Sequence, residues 1–373
     1  MKPKFDEWLM SILFCGFLLV MSALFFLLPK TQFSETEKRY LQDPPKYSFE
    51  SLASGQLGYD IESYMADHIP GRDFFVGLYS YFERLTLRQV SEDIYLAEGE
   101  RLVEKPVIWD EDRITRNVNS ILSFANHYPN QVDIMIVPSG GWAVRDRIIG
   151  ISNPYCDEEI ISGIYGKLPG VNTVDITEMI SSYPDPAELY YRTDHHWTSL
   201  GAYKAYCHYV ESKGLSAIPE KEFTVKTVED FKGTTHSRSA LWLIPGEPLQ
   251  MWSGPASLTV TNRESQESHQ GPFYMERLKE QDKYTVFLDG NHSLVRIENP
   301  EKEEKILVFR DSYANCLGSF LAQSYGTVVL VDLRYYKEPL ETLWAEETFD
   351  DTLICYSLSN FMTDNNIVDL FMD

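Results

Sequence analysis

Thiolate chemistry is what this sequence most plainly lacks. Five cysteines occur in 373 residues. Cys15 sits in an apolar run, and Cys156, Cys207, Cys316 and Cys355 are scattered with no C-x-x-C pair. That spacing excludes a zinc site built on thiolates and leaves buried free thiols as the expected role. Histidine is scarce too, eight in all, and no H-x-x-x-H pattern is present. Basic residues are outnumbered by acidic ones, 33 to 56, for a formal charge of −23. A surface that negative repels phosphate backbones and argues against a nucleic-acid partner. No internal repeat or low-complexity run is evident. What is present suits an ordinary globular protein: 43% apolar and 24% charged residues, and enough chain for one large domain or two moderate ones. The 13% of aromatic residues fit a packed core and would also suit sugar binding.

The one long hydrophobic run is N-terminal. "WLMSILFCGFLLVMSALFFLL", Trp8 to Leu28, carries no charge, and at about 1.5 Å per residue it reaches roughly 30 Å, the hydrocarbon thickness of a bilayer. A cleaved signal peptide is the competing reading, but no small-x-small cleavage site follows. The expectation is an uncleaved anchor over residues 1–29. Lys2 and Lys4 favour a cytoplasmic N-terminus, while Lys30, Lys38 and Arg39 lie on the other flank. A single anchor followed by an acidic body is most simply read with the body outside. Residues 30–48 read as a linker, and residues 49–373 as the catalytic domain.

Residues 49 to 90 carry helical spacing, with Leu57, Ile61, Tyr64 and Met65 near a 3.6 period, and "DIYLAEGERLVEK" reads as strand, turn and strand. Beyond it, short continuous apolar runs alternate with helical stretches: "VDIMIVP", "VNTVDIT", "KILVFRDS", "TVVLVDLR" and "DTLICYS". Runs without polar alternation are expected of parallel strands covered on both faces, so the pattern predicts a doubly wound α/β sheet. Between about 215 and 300, "FTVKTV", "SLTVTN" and "YTVFLDGNHSLVRIE" predict a β-rich insertion.

Sites in open α/β sheets form at the carboxyl ends of strands. Ser312 sits between a strand and a helix, where a hydroxyl is presented on a tight turn and helix N–H groups can stabilise an oxyanion. A serine needs a base to become nucleophilic; a plain N-cap is the alternative role. Upstream lies "TDHHWTSLGAY". With Thr198 as N-cap, Asp194 and His196 fall on the loop entering a helix, one residue apart, so both side chains point the same way if the loop is extended. Three readings stay open: a metal site, structural packing, or an acid–base dyad. Sequential histidines diverge in extended chain and further ligands are not apparent, which weakens the metal reading.

"TDHHWTSLGAY" with the later "VFRDSYAN" resembles the DHHW family, and is similar to the broader SGNH-hydrolase-like proteins of bacterial exopolysaccharide O-acetylation, such as that of alginate. "MADHIPGRDFF" (Met65 to Phe75) and "VDLRYY" resemble further segments of that group. The resemblance implies an SGNH-hydrolase-like, flavodoxin-like fold and a triad in permuted order: Ser312 as nucleophile, His196 as base, Asp194 orienting it, and His195 in a supporting place. It also implies Arg334 near the active site. The activity implied is that of a serine esterase or O-acetyltransferase on acetyl esters of cell-surface polysaccharide, without cofactor or metal, with a membrane O-acyltransferase as a possible acyl-supplying partner. Asn291, in "LDGNHSL", is an oxyanion-donor candidate, although the same segment reads as a hairpin turn. Tyr313 and Trp197 are candidates for the substrate or oxyanion site, and Ser139 to Gly141 offer backbone N–H groups. Arg310 stands where the wider group has glycine before Asp-Ser. That departure keeps a rival in view, a non-catalytic carbohydrate-binding or assembly protein of the same fold.

Overall fold

The computed structural model describes residues 5–34, 39–86, 90–91, 93–150, 154–345 and 347–371; Lys2, Lys4 and Lys38 lie outside them. The chain divides into two compact units, Met1–Glu92 with Ser237–Leu243, and Asp93–His236 with Ile244–Asp373.

The first unit is helical. Helix α1 (Phe5–Leu27) is long and apolar enough over Trp8–Leu27 to cross a membrane. The stretch after it holds a two-residue antiparallel pairing of Phe33–Ser34 with Arg39–Tyr40. Helices α2 (Gln56–His68) and α3 (Arg72–Leu85) follow. Ile69-Pro70-Gly71 breaks them apart: proline removes a donor, and Gly71 adopts a left-handed φ of 72° open to glycine at little cost.

The second unit contains α4 (Glu111–His127), β1 (Asp133–Val137), α5 (Asp157–Tyr165), β2 (Asn172–Thr173), α6 (Ser199–Ser212), β3 (Thr259–Asn262), β4 (Ser268–Gln270), β5 (Leu294–Glu298), β6 (Lys305–Arg310), α7 (Tyr313–Leu321), β7 (Thr327–Val331), β8 (Asp351–Ser357) and α8 (Leu358–Thr363). Its eight-stranded sheet runs β4-β3-β5-β7-β6-β8-β1-β2. The five strands β7-β6-β8-β1-β2 are parallel, and β5, β3 and β4 extend the β7 side antiparallel. Counted from β6, the parallel strands read 2-1-3-4-5, the flavodoxin-like order with the chain entering partway through. The order reverses between β6 and β8, and that switch point is where an open α/β sheet forms its crevice.

The unbroken apolar runs are explained by two cores. Ile306 and Val308 face one side with Ala202 and Tyr206 of α6 and Leu317 and Phe320 of α7. Leu307 and Phe309 face the other with Ile114 and Ile121 of α4, Ile161 of α5 and Phe361 of α8. Alternate residues of one strand enter opposite cores, so neither parity is free to be polar. Asp110, Thr198 and Ser357 accept N–H groups at the starts of α4, α6 and α8.

The region from 215 to 300 contributes in two ways. Thr224–Phe231 pairs antiparallel with Glu247–Ser253 as a separate two-stranded sheet, whereas β3 and β5 join the central sheet. "YTVF" is not a strand: Lys283–Val286 forms a 3-10 turn. Leu288, Asp289 and Gly290 then run through three left-handed residues, φ 56°, 65° and 85°, before β5 begins. β-propensity is overridden here because the rings of Tyr284 and Phe287 are buried by tertiary packing.

Phe309, fully buried and packed edge-on against Phe124, lies three residues before the β6–α7 turn. Phe309→Ala should cost about 3–5 kcal/mol of unfolding free energy, read from denaturant titration followed by near-UV circular dichroism.

Candidate active site

The loop that carries the histidine pair is built by its surroundings. Tyr190 and Trp197 form an antiparallel bridge, with Tyr191 N–H on His196 O at 3.1 Å and Thr198 N–H on Leu189 O at 2.9 Å. Arg101 donates to the carbonyls of Ala187, Tyr190 and Tyr191. The Glu247 carboxylate accepts from the backbone of Arg192 and Thr193 at 2.7 and 2.6 Å. Asp194 is thereby held at the tip of a tight turn, not in extended chain. Its Oδ1 accepts the His196 backbone N–H at 2.9 Å and lies 2.5 Å from ring Nδ1, an Asx turn that closes onto its own imidazole.

On the other side of the ring, His196 Nε2 is 2.8 Å from Ser312 Oγ. An ionised carboxylate only accepts, so Nδ1 carries the ring proton and Nε2 accepts from the serine hydroxyl. Ser312 starts α7, yet its side chain makes no capping bond; its hydroxyl is committed to the imidazole. Asp194, His196 and Ser312, expected from the sequence to meet, form one hydrogen-bonded chain across the switch point.

Electrostatics assign the protonation states. Burial by itself would raise the Asp194 carboxyl, but the imidazoles of His195 and His196 and the N–H of Thr234 outweigh it and hold the group well below the usual carboxylate range. His196 is pushed below its ordinary value, first by burial and then by His195, with Asp194 opposing. At neutral pH the pair is a carboxylate and a neutral imidazole, the charge state of a general base.

Several residues that shape this site carry no sequence signal. Thr234 N–H donates to Asp194 Oδ2 at 2.6 Å, and Gly233 leaves room for the carboxylate: a Cβ there would fall 2.1 Å from Oδ2. Tyr284 stacks face to face on His196, ring centroids 3.8 Å apart and planes 7° from parallel. Asp311 fixes the serine turn. It accepts from Tyr313 N–H at 3.0 Å, and from the Ser357 N–H, the Ser357 hydroxyl and Asn360 Nδ2 at 2.8, 2.7 and 2.8 Å, tying the end of β6 to the end of β8.

The remaining candidates separate. Asn291 is exposed. Its carbonyl oxygen accepts from Arg310 Nη1 at 2.9 Å and Asn315 Nδ2 at 3.1 Å. It follows the left-handed run at Leu288–Gly290, not the two-residue hairpin loop its sequence suggested. Arg310, in place of glycine, is fully buried and also reaches Asp332 at 3.4 Å. Arg334 is held by the same Asp332 through Nε at 2.9 Å and Nη2 at 2.6 Å. Trp197 does not face a ligand: it is buried in the core and donates to Tyr313 O at 3.0 Å, because its indole locks the histidine loop to the serine turn. Tyr313 is buried as well, its hydroxyl bonded to His195 O and its N–H taken by Asp311, so it holds the turn and has no N–H left for an oxyanion. Ser139 N–H is taken by Asp157 at 2.7 Å. Gly140 and Gly141 line a cavity of about 90 Å³ together with His195, Tyr313, Ser357 and Asn360, beside the dyad.

Asp194, His195 and His196 bring their ligand atoms within 4.8 Å of one another. Both oxygens of Asp194 and both nitrogens of His196 are already engaged by N–H groups, the ring and Ser312. His195 Nδ1, by contrast, is buried with no hydrogen-bond partner among the described residues.

A family model described as DHHW protein matches residues 114–331, more than half of the chain. None of the curated proteins searched matches it. Among solved structures, a DHHW family protein from Eubacterium siraeum superposes with a TM-score of 0.66 at 20% identity, over 75% of this chain and 96% of that one. Bacillus cereus PatB1, in a structure with a sulfonyl adduct, gives 0.62 at 21% identity, over 75% and 98%; without the adduct it gives 0.59. At such identities the likeness speaks for the fold alone, and the mostly parallel α/β sheet with helices on both faces expected from the sequence is the one the chain adopts. By its family model, its motif segments and its fold, this chain belongs to the DHHW family.

Proposed function

We propose that the protein is a membrane-anchored, extracytoplasmic serine esterase or O-acetyltransferase acting on acetyl esters of cell-surface polysaccharide. The observation that carries the reading is the continuous chain Asp194–His196–Ser312, with contacts of 2.5 and 2.8 Å. Ser312 Oγ attacks the ester carbonyl as its proton passes to His196 Nε2; Asp194, already ionised, stabilises the imidazolium. For the tetrahedral oxyanion the donors in this reading are the Ser312 N–H and the side-chain amide of Asn291. Collapse expels the alcohol, which takes the proton from His196, and leaves an acyl-Ser312. Water as second nucleophile gives hydrolysis, and a sugar hydroxyl gives transfer. Arg334, clamped by Asp332, offers positive charge at the same sheet edge for a substrate carboxylate. Helix α1 supports the anchored placement, and the family resemblance supports the polysaccharide substrate and a membrane O-acyltransferase as acyl source.

A fluorophosphonate should label the wild-type protein at Ser312, and Ser312→Ala should lose both labelling and cleavage of an acetyl ester. Intact labelling of the variant would favour the non-catalytic carbohydrate-binding reading for this site. Asp194→Asn removes the charge that fixes the tautomer and should lower kcat by about 10³–10⁴-fold with an unchanged fold by circular dichroism.

The acid limb of kcat/KM reports His196 in the free protein. The unprotonated ring is the active form and its pKa is lowered, so activity is retained as pH falls to 6.5, the ordinary imidazole value, and lost below it. A midpoint above 6.5 in a pH–rate profile contradicts this assignment.

Gly233→Ala drives a methyl group into the Asp194 carboxylate. A displacement of about 1 Å in such a relay costs on the order of 10²-fold in kcat. Steady-state kinetics should show that loss, with the acid limb moved because His196 has lost its aligned partner.

A further inference from the structure

Helix α3 is turned the wrong way round for water. Its buried positions are the small ones, Gly77 and Ser80. A Cβ on Gly77 would fall 1.7 Å from the Trp242 ring, and that ring also stacks on Phe74 with planes 14° apart and meets Tyr81 edge-on. Its large apolar side chains, Phe74, Phe75, Leu78, Tyr79, Phe82 and Leu85, are all exposed, from 39% to 82%. At about 100° per residue these six fall within one arc of roughly 140°, an apolar stripe rich in aromatic rings and about three turns long. A stripe of that size left open to solvent marks a surface made for an apolar partner.

What covers it is indicated by where the helix starts. Tyr64 of α2 packs edge-on against Phe25 near the end of α1, ring centroids 6.1 Å apart. Lys30 Nζ donates to His68 O at 3.3 Å, and the His68 ring contacts Thr31 O at 3.2 Å. Residues 64–68 are therefore fastened to the end of the apolar span, and only Ile69-Pro70-Gly71 separates them from α3. A helix beginning at that level, about 21 Å long at 1.5 Å per residue, with rings of Phe and Tyr along one face, has the composition of an interfacial segment. We infer that α3 lies in the headgroup region of the bilayer that α1 enters, its aromatic stripe in lipid. Its association is apolar in origin, since the stripe carries no basic residue and the chain as a whole is strongly acidic.

The inference rests on α1 crossing the membrane, and the experiment separates the two. The photo-crosslinking residue benzoylphenylalanine is placed singly at Phe17 of α1, at Phe82 in the stripe, and at Arg84 on the far side of α3, in the full chain reconstituted into phosphatidylcholine vesicles. Lipid adducts by mass spectrometry are expected at Phe17 and Phe82, with several-fold less at Arg84, and the same yield at Phe82 in high salt. Adducts at Phe17 with none at Phe82 overturn the inference and leave the anchor standing; adducts at neither overturn both. A crosslinked product of twice the chain mass from Phe82 overturns it in favour of a second copy. Far-UV circular dichroism of each variant beside the wild-type chain shows that loss of adduct is not loss of fold.

Discussion

A carboxylate buried without a neighbouring lysine or arginine must be surrounded by donors, and that requirement organises this molecule's centre. Asp194 is satisfied by the His196 backbone, the His196 ring and Thr234 N–H. Each of those donors then has its own position dictated by the charge. The imidazole cannot rotate without abandoning the ionised oxygen, so its far nitrogen is aimed at one place. The segment at Gly233 cannot bear a side chain because the second oxygen occupies that space. Tyr284 closes the remaining face of the ring, which keeps water from competing for Nδ1 and strengthens the interaction by lowering the local dielectric.

The sheet supplies the counterpart. Ser312 leaves β6 at the point where strand order reverses, and Asp311 beside it binds across to the start of α8. Two acidic residues thus perform the same physical task on opposite sides of the hydroxyl: each gathers backbone and side-chain donors and so fixes a turn. Trp197 joins the two halves through its indole N–H to the Tyr313 carbonyl, a role made possible by the position of tryptophan immediately after His196.

How much of this could be read beforehand follows from the range of each interaction. The strands were legible because two-sided burial leaves a run of apolar residues whatever the topology. Asp194, His196 and Ser312 were legible because a loop before a helix and a strand-to-helix turn are local patterns, with a family resemblance choosing between the two histidines. The Asx turn was missed, since an extended loop satisfies the same one-residue spacing. Gly233, Thr234 and Tyr284 left no mark: a glycine in "KGTT" looks like a turn, and a tyrosine in "KYTVF" looks like a strand. Their functions exist only once distant segments fold together. Arg310 read as a departure from the motif, yet its buried guanidinium donates to the Asn291 carbonyl oxygen and meets Asp332.

The permuted strand order bears on how the molecule is made. Strands β6, β7 and β8 occupy the middle of the sheet but come from residues 305–357, whereas β1, which needs β8 as its neighbour, is synthesised more than two hundred residues earlier. Until β8 arrives, the apolar edge of β1 has nothing to pair with, and the contacts that complete the sheet span much of the polypeptide. Such a topology has a high contact order and folds slowly, with an exposed edge meanwhile. The turn that carries Ser312 is tied through Asp311 to Ser357, so the hydroxyl–imidazole pair rests on a sheet that is complete only once β8 has been made.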